Sequence, residues 1–554
     1  MANRSDGWRG RRAPCGGRCA RRRRVPAGGL RRLGRRMESW HQAGSARGRH
    51  PGDSTTSAPP ASPTARRRRA GVAVFALLPL LCGGAGGCSR PAAGDGRASL
   101  EPCRLEGLGV PALCGTLSVP EDRQAPGGRT IDLFLARVPA LAPAPAPDPL
   151  FILVGGPGQA ATTAGAPVAR LLEKVRRHRD IVLVDRRGTG RSHPLRCQEE
   201  APSLAEALSA RFDPAELERC LAELDADPTH YLTPSAADDL EDVRKALGYQ
   251  QINLWGVSYG TRLALIYLRR HGTHVRRMVL DGVAPPSIKL PLYAARDGQR
   301  AFDRLAERCL ADDACRKAFP DPRGDLLGLL ARARERPILA RLSHPRTGRA
   351  ETVTLGPSAI VTAVRGMLYH RRLATLIPLV LRRAAAGDYG PLAAAGTLFS
   401  GSVEEGIADG LFLSVICSED VARIAPEEVA SAVAGTFAGD LLVRSTMEAC
   451  ALWPTTAMPD AYYEPVESDV PVLILSGALD PVTPPVWGEE VARHLSRSRH
   501  LVAPGAAHGV TTAGCAAQTV AAFIEGASPE AVDPHCVTEL SPPPPFTTFA
   551  GPPP

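Results

Sequence analysis

Residues 251–271 read QINLWGVSYGTRLALIYLRRH. Ile252, Leu254 and Trp255 make an apolar run, and an amphipathic helical pattern begins at once after Gly-Val-Ser-Tyr-Gly. A strand apolar on both sides needs cover on both faces, which is the situation of a parallel sheet. A strand that passes into a helix with no loop between them is one step of a βαβ unit. Gly256 and Gly260 bracket the turn, where neighbouring side chains would keep helix and strand apart.

The same alternation recurs on both sides. "ALCGTLSVPED" and "RTIDLFLARVPA" alternate like antiparallel strands, and "APAPAPDP" is a stiff linker. "PLFILVGGPG" and "DIVLVDRRGTGRS" read as buried strands that end in glycine turns, with "PVARLLEKVRRH" at helical spacing between them. "SAADDLEDVRKALGY" reads as a helix with an N-cap at Ser235 and a stop at Gly248. "VRRMVLDGV" is a further strand. The pattern breaks near Pro285, and from there to about Asp469 the chain reads as mostly helical. Strand–helix alternation returns with "VPVLILSGALD", "PVWGEEVARHL", "RHLVAPGAAHG" and "CAAQTVAAFIEG". The expected fold class is α/β, of the α/β-hydrolase type. It has a mostly parallel sheet, helices on both faces, and a helical cap inserted between the two halves of the core. The expected boundaries are 96–285 and 470–538 for the core, 286–469 for the cap, and 539–554 for a proline-rich tail that is disordered or polyproline II.

The first 95 residues stand apart. Residues 1–70 hold 19 arginines against three acids, Asp6, Glu38 and Asp53. That exceeds the chain's formal net charge of +10, so the remainder is net acidic and implies no nucleic-acid partner. Arg66–Arg69, an apolar run from Gly71 to Cys82, the small residues Gly83–Gly87 and then Cys88 follow the order of a secretion signal. "AGGC" resembles a bacterial lipobox, with Ala85 where leucine is usual, which makes Cys88 a candidate for lipidation. An exported, envelope-anchored or extracellular protein is expected, with membrane attachment through a lipid anchor only. Ten cysteines lie beyond the leader, an even number that suits disulfides in an exported chain. Sequential bridging is the simplest of about 945 possible pairings. It gives Cys103–Cys114, Cys197–Cys220, Cys309–Cys315, Cys417–Cys450 and Cys515–Cys536. No C-x-x-C pair or histidine cluster has zinc spacing, so neither a metal nor a cofactor is expected.

Ser258 follows a strand and precedes a helix, the context of a nucleophile elbow. A serine needs a base, and the base needs an orienting carboxylate. Asp480 and His508 each follow one of the last two strands and complete the order Ser, Asp, His. Two backbone N–H groups must receive the oxyanion. Tyr259 follows the nucleophile, and Gly156 lies in "GGPG", where Pro157 has no N–H to give.

"GGPG", "VDRRGTGRS", "GVSYG", "SGALDPVTP" and "GAAHG" resemble the exported tripeptidyl-aminopeptidase-like branch of the proline iminopeptidase family, over roughly residues 100–538. The resemblance implies a serine exopeptidase that releases short peptides or single residues from free N-termini. It also implies an acid two residues after Cys417 to hold the substrate ammonium, which points to Glu419, with Asp420 beside it, and a structural role for Arg187. The sequence departs from the family at Val154, where histidine is frequent, and at Gln159, where a small residue is usual. Peptides are the expected substrates. A carboxylesterase with the same triad, and a binding protein without catalysis, are the competing readings.

Overall fold

The computed structural model describes residues 98–197, 212–343, 348–399 and 406–550. The leader, its signal and Cys88 lie outside the described residues.

A nine-stranded sheet organises the core. Its strands are β1 (Glu101–Arg104), β2 (Pro111–Pro120), β3 (Thr130–Val138), β4 (Leu150–Leu153), β5 (Ile181–Val184), β6 (Ile252–Val257), β7 (Val275–Asp281), β10 (Val472–Gly477) and β11 (Ser498–Ala503). The spatial order is β1-β2-β3-β5-β4-β6-β7-β10-β11. β1, β2 and β3 pair antiparallel, and β3 joins β5 antiparallel. From β5 onward every pairing is parallel. The apolar runs follow from this. Phe151, Val182, Leu254 and Ile474 enter one core cluster, while Ile152, Leu183, Trp255 and Leu475 enter another. Successive residues of a strand point to opposite faces, so a strand covered on both faces is apolar throughout. Each fully buried aliphatic side chain here contributes about 1.5–3 kcal/mol.

Helices α1 (Thr233–Ala246) and α2 (Tyr259–His271) flank β6. The expected stop of α1 at Gly248 is a left-handed residue with φ +78°. Its start is corrected: Leu232, not Ser235, occupies the cap position, and the helix begins at Thr233.

Between β7 and β10 lies the inserted segment. α3 (Ala294–Ala311), α4 (Pro322–Glu335), α5 (Pro357–Tyr369) and α6 (Ile377–Ala385) enclose their own core, with Phe302, Leu330, Ile360 and Leu381 inside it. Two features differ from a uniform helical cap. An antiparallel hairpin, β8 (Ile338–Ser343) with β9 (Ala350–Leu355), sits between α4 and α5, and β8 alternates in burial as a half-covered strand does. The helix α7 (Asp409–Glu419) sends Leu411 and Val415 into the core cluster rather than the cap's. The tail, expected to be disordered or polyproline II, carries no helix or strand over residues 540–546 and contacts the cap. Residues 539–550 are fixed against the cap, where Phe546 N–H donates to the Thr375 carbonyl (3.2 Å) and Arg371 donates to that of Ser541 (2.8 Å). Proline offers no N–H, so Arg308 and Arg371 of the cap reach the tail's carbonyls at Pro543 and Ser541 instead.

Five disulfides link Cys103–Cys114, Cys197–Cys220, Cys309–Cys315, Cys417–Cys450 and Cys515–Cys536. No helix among the described residues is long and apolar enough to cross a membrane.

Candidate active site

Ser258 stands at the junction of β6 and α2 with φ +57° and ψ −130°. Among the described residues only His193 is another non-glycine with positive φ. A side chain held in that region stores strain, and such residues cluster at functional sites. The flanking glycines are obligatory. A Cβ on Gly260 would lie 2.0 Å from the Leu153 carbonyl oxygen, and one on Gly256 would lie 2.6 Å from that of Gly260. The Ser258 N–H donates to the carbonyl of Asp281 at 3.0 Å, which anchors the elbow to β7.

Asp480 lies three residues beyond β10, and His508 five residues beyond β11. The Nδ1 of His508 is 2.8 Å from Asp480 Oδ2. Asp480 is fully buried, and its other oxygen accepts from the N–H groups of Val482 (2.8 Å) and Thr483 (2.9 Å). The Thr483 hydroxyl donates to Oδ2 at 2.9 Å and lies 3.1 Å from His508 Nδ1. Burial opposes ionisation of Asp480, but His508 and these N–H groups outweigh it and hold the carboxyl below its usual range. Burial likewise opposes charging of His508, and Asp480 outweighs it, raising the imidazole above 6.5. Ser258 and His508 are not hydrogen-bonded to each other here. A long nucleophile–base contact is common before substrate arrives.

Asp281, wholly buried at the end of β7, accepts from the N–H groups of Val510 and Thr511, both at 2.7 Å. One residue thus holds the nucleophile through its carbonyl and the histidine loop through its carboxylate.

The turn at residues 155–158 faces Ser258. A Cβ on Gly155 would meet the Ser258 Cβ at 2.9 Å and its Oγ at 3.3 Å, with Gln159 Oε1 at 3.4 Å. Gly156 has φ +105°. Behind the turn, Arg186 donates to the Gly155 carbonyl (3.2 Å) and lies 4.4 Å over the Tyr259 ring. The neighbouring loop is scaffold. Arg187 forks onto Asp239 at 2.7 Å, and Asp185 accepts from the Thr162 N–H (2.8 Å) and hydroxyl.

Glu419 and Asp420 are corrected. Both are fully buried. Asp420 takes a two-pronged bond from Arg262 (2.9 Å each), and Arg262 also reaches Glu419 at 3.3 Å. Glu419 further accepts from the Tyr462 hydroxyl (2.5 Å), the Thr233 hydroxyl (2.8 Å) and the Thr233 N–H (2.7 Å). Neither acid presents a free oxygen to an incoming ammonium. Glu419 instead satisfies the first N–H of α1, the need assigned to Ser235 from sequence.

Over His508 stands the end of the cap helix α5. Tyr369 meets the imidazole edge-on, with ring centres 5.3 Å apart, and the Arg365 guanidinium carbon lies 5.2 Å from the Tyr369 ring centre. Sequence reasoning missed Thr483, Asp281, Tyr369 and Arg365. Thr483 had a signal, an Asp-x-x-Thr spacing that suits a turn capping its own aspartate. Tyr369 and Arg365 had none, because nothing local says where a cap lands.

A strained serine at a strand–helix elbow, beside a carboxylate-oriented imidazole on the same sheet edge, defines a serine hydrolase of the α/β type. Comparison with known proteins agrees. Residues 148–320 match the α/β hydrolase fold family, and residues 435–536 match the family described as TAP-like protein. The chain is 28% identical over 474 residues to serine protease Hip1 of Mycobacterium tuberculosis, covering 77% of this chain and 88% of that one. It is 30% identical over 420 residues to carboxylesterase B of the same organism, covering 69% of this chain and 78% of that one. It is 31% identical over 222 residues to tripeptidyl aminopeptidase of Streptomyces lividans, covering 37% and 41%. The chain belongs to the α/β-hydrolase family.

Proposed function

We propose that this protein is an exported serine peptidase of the aminopeptidase type, acting through an acyl-enzyme on Ser258. The observation that carries the catalytic part is the φ of +57° at Ser258, on the same sheet edge as the bonded pair of buried Asp480 and partly exposed His508. The Ser258 hydroxyl attacks the scissile carbonyl while His508 Nε2 takes its proton. The N–H groups of Gly156 and Tyr259 receive the oxyanion. His508 then passes the proton to the leaving amine, and the acyl group remains on Ser258. Water, deprotonated by the same imidazole, releases the acid and restores the enzyme. Asp480 holds the imidazole in the tautomer this needs.

Peptide substrates and N-terminal action are supported by the TAP-like match over residues 435–536, which contains both Asp480 and His508, and by the relatives named as peptidases. Export is supported by five disulfides. A second reading, carboxylesterase, is favoured by one relative's name and by the internal pairing of Glu419 and Asp420.

A panel of aminoacyl, dipeptidyl and tripeptidyl chromogenic amides beside short-chain esters separates the two. Free-amine peptides should be cleaved far faster than their N-acetylated twins. Equal rates on both reject the aminopeptidase reading, and activity on esters alone selects the esterase. Ser258→Ala should lower kcat on every substrate by a factor on the order of 10⁶. A purified, folded variant that keeps a tenth of the activity removes Ser258 from the mechanism.

A further inference from the structure

We propose that Arg365 recognises a carboxylate on the leaving-group side of the substrate, which makes short peptides with a free C-terminus the preferred class. The inference rests on the serine-hydrolase reading of Ser258 and His508.

The charges around the triad are unevenly spent. Asp480 is saturated by His508, Thr483 and Val482. Both oxygens of Asp281 hold N–H groups of the histidine loop, and Glu419 and Asp420 hold Arg262. The acids are engaged by cations and N–H groups of the protein, whereas Arg365 meets the Tyr369 side chain and no acid. Among the described residues no carboxylate forms an ion pair with Arg365, and its Nε is buried with no hydrogen-bond partner. Arg300 of α3 lies on the same wall, where it donates to the Asp480 carbonyl (3.3 Å) and its own Nε is also without a partner. A buried donor left unpaired is costly, and a ligand that satisfies it gains in return.

Position then fixes which part of a substrate meets this charge. His508 hands its proton to the leaving group, so the leaving group lies along the imidazole. The cap residue on that imidazole is Tyr369, and Arg365 stands one helical turn back, stacked on the Tyr369 ring. The positive charge of Arg365 reaches His508, where it works against protonation. Ser258, His508, Tyr369 and Arg365 are all partly exposed. An extended leaving group advances about 3.3 Å per residue. The 5.3 Å from the His508 ring to Tyr369 and the 5.2 Å from Tyr369 to the guanidinium carbon are therefore covered by about three residues or fewer, ending in a carboxylate that the guanidinium fork suits.

The test compares matched pairs. A tetrapeptide with a free C-terminus is set against its C-terminal amide, and 4-acetoxybenzoate against 4-acetoxybenzamide. Each pair is read as a kcat/KM ratio on wild type, Arg365→Gln and Arg365→Lys. Wild type should favour the acid roughly ten- to hundredfold, the gain of a charge-assisted hydrogen bond. In Arg365→Gln the ratio should fall toward one, and Arg365→Lys should keep part of it. The neutral twin, read on the same preparation, reports the folded fraction. A wild-type ratio near one on both pairs overturns the proposal, as does a ratio that survives in Arg365→Gln. Preference for the acetoxybenzoate with no peptide cleaved supports carboxylate recognition and removes the peptidase reading alone.

Discussion

At the scale of single residues, Asp480 and His508 form one electrostatic pair on the sheet edge that also carries the strained Ser258. Ser258, Asp480 and His508 were legible in the sequence because each lies within five residues of the end of an apolar strand, where an open parallel sheet gathers its site. Asp281 also ends a strand, yet its role was hidden, because its partners Val510 and Thr511 lie about 230 residues away along the chain. Glu419 was misread for a related reason. An acid after a cysteine shows its charge in the sequence but not its partners, and Arg262 and Thr233 reach it only through the fold. The raised His508 has a kinetic consequence. The imidazole must be neutral to act as base, so activity is lost as pH falls through its pKa, and Asp480 sets that value above 6.5. The acid limb of kcat/KM should therefore have its midpoint above 6.5. Asp480→Asn should shift the limb downward and reduce kcat by about 10⁴. Stopped-time assays across pH 4–9 would check this, and an unmoved limb in Asp480→Asn would show that another group sets the profile.

At the scale of elements, the contact that matters most joins α1, α2 and α7. Glu419, the last residue of α7, accepts the first N–H of α1, while Arg262 of α2 grips Asp420 just beyond it. The nucleophile helix, the helix beside it and the returning segment from the cap are thereby locked in one buried network. The sequence identified α1 and α2 as helices, because apolar periodicity is local, and placed α7 only within a mostly helical stretch. It could not assign α7 to the core, since a helix carries no mark of which layer it covers. The β8–β9 hairpin was passed over because its alternating strands are short and lie among helix-forming residues. Removing one partner of a buried charged network costs about 3–5 kcal/mol. Glu419→Gln should therefore lower stability to urea by an amount of that order, and leave the ratio of free to N-acetylated peptide cleavage as in wild type. A variant of normal stability with an altered ratio would return Glu419 to the substrate pocket.

At the scale of the whole molecule, the described chain combines a sheet-centred core, a cap with its own apolar centre, and covalent links within both. Sheet and cap were visible in the sequence as alternation and its interruption. The ordering of the tail was not, because a proline-rich segment has no periodicity, and its bonds come from Thr375, Arg308 and Arg371 of the cap. Two disulfides bear on one place. Cys197–Cys220 and Cys417–Cys450 meet in a small cluster with Leu217, Leu413 and Trp453, beside α7. The second closes a separation of 33 residues. In the chain-entropy model a loop of that length is worth about 3.7 kcal/mol. Replacing both Cys417 and Cys450 with alanine should destabilise the protein by roughly that amount in denaturant. Replacing Cys197 and Cys220 as well should not add independently, because the first pair of substitutions has already loosened the cluster that the second bridge secures. A coupling of at least about 0.5 kcal/mol is expected for groups in contact. Guanidinium unfolding of the wild type, the two double variants and the quadruple variant would measure it. Strict additivity would mean that the two bridges stabilise separate parts of the fold, and that the cluster does not tie α7 to the segment before α1.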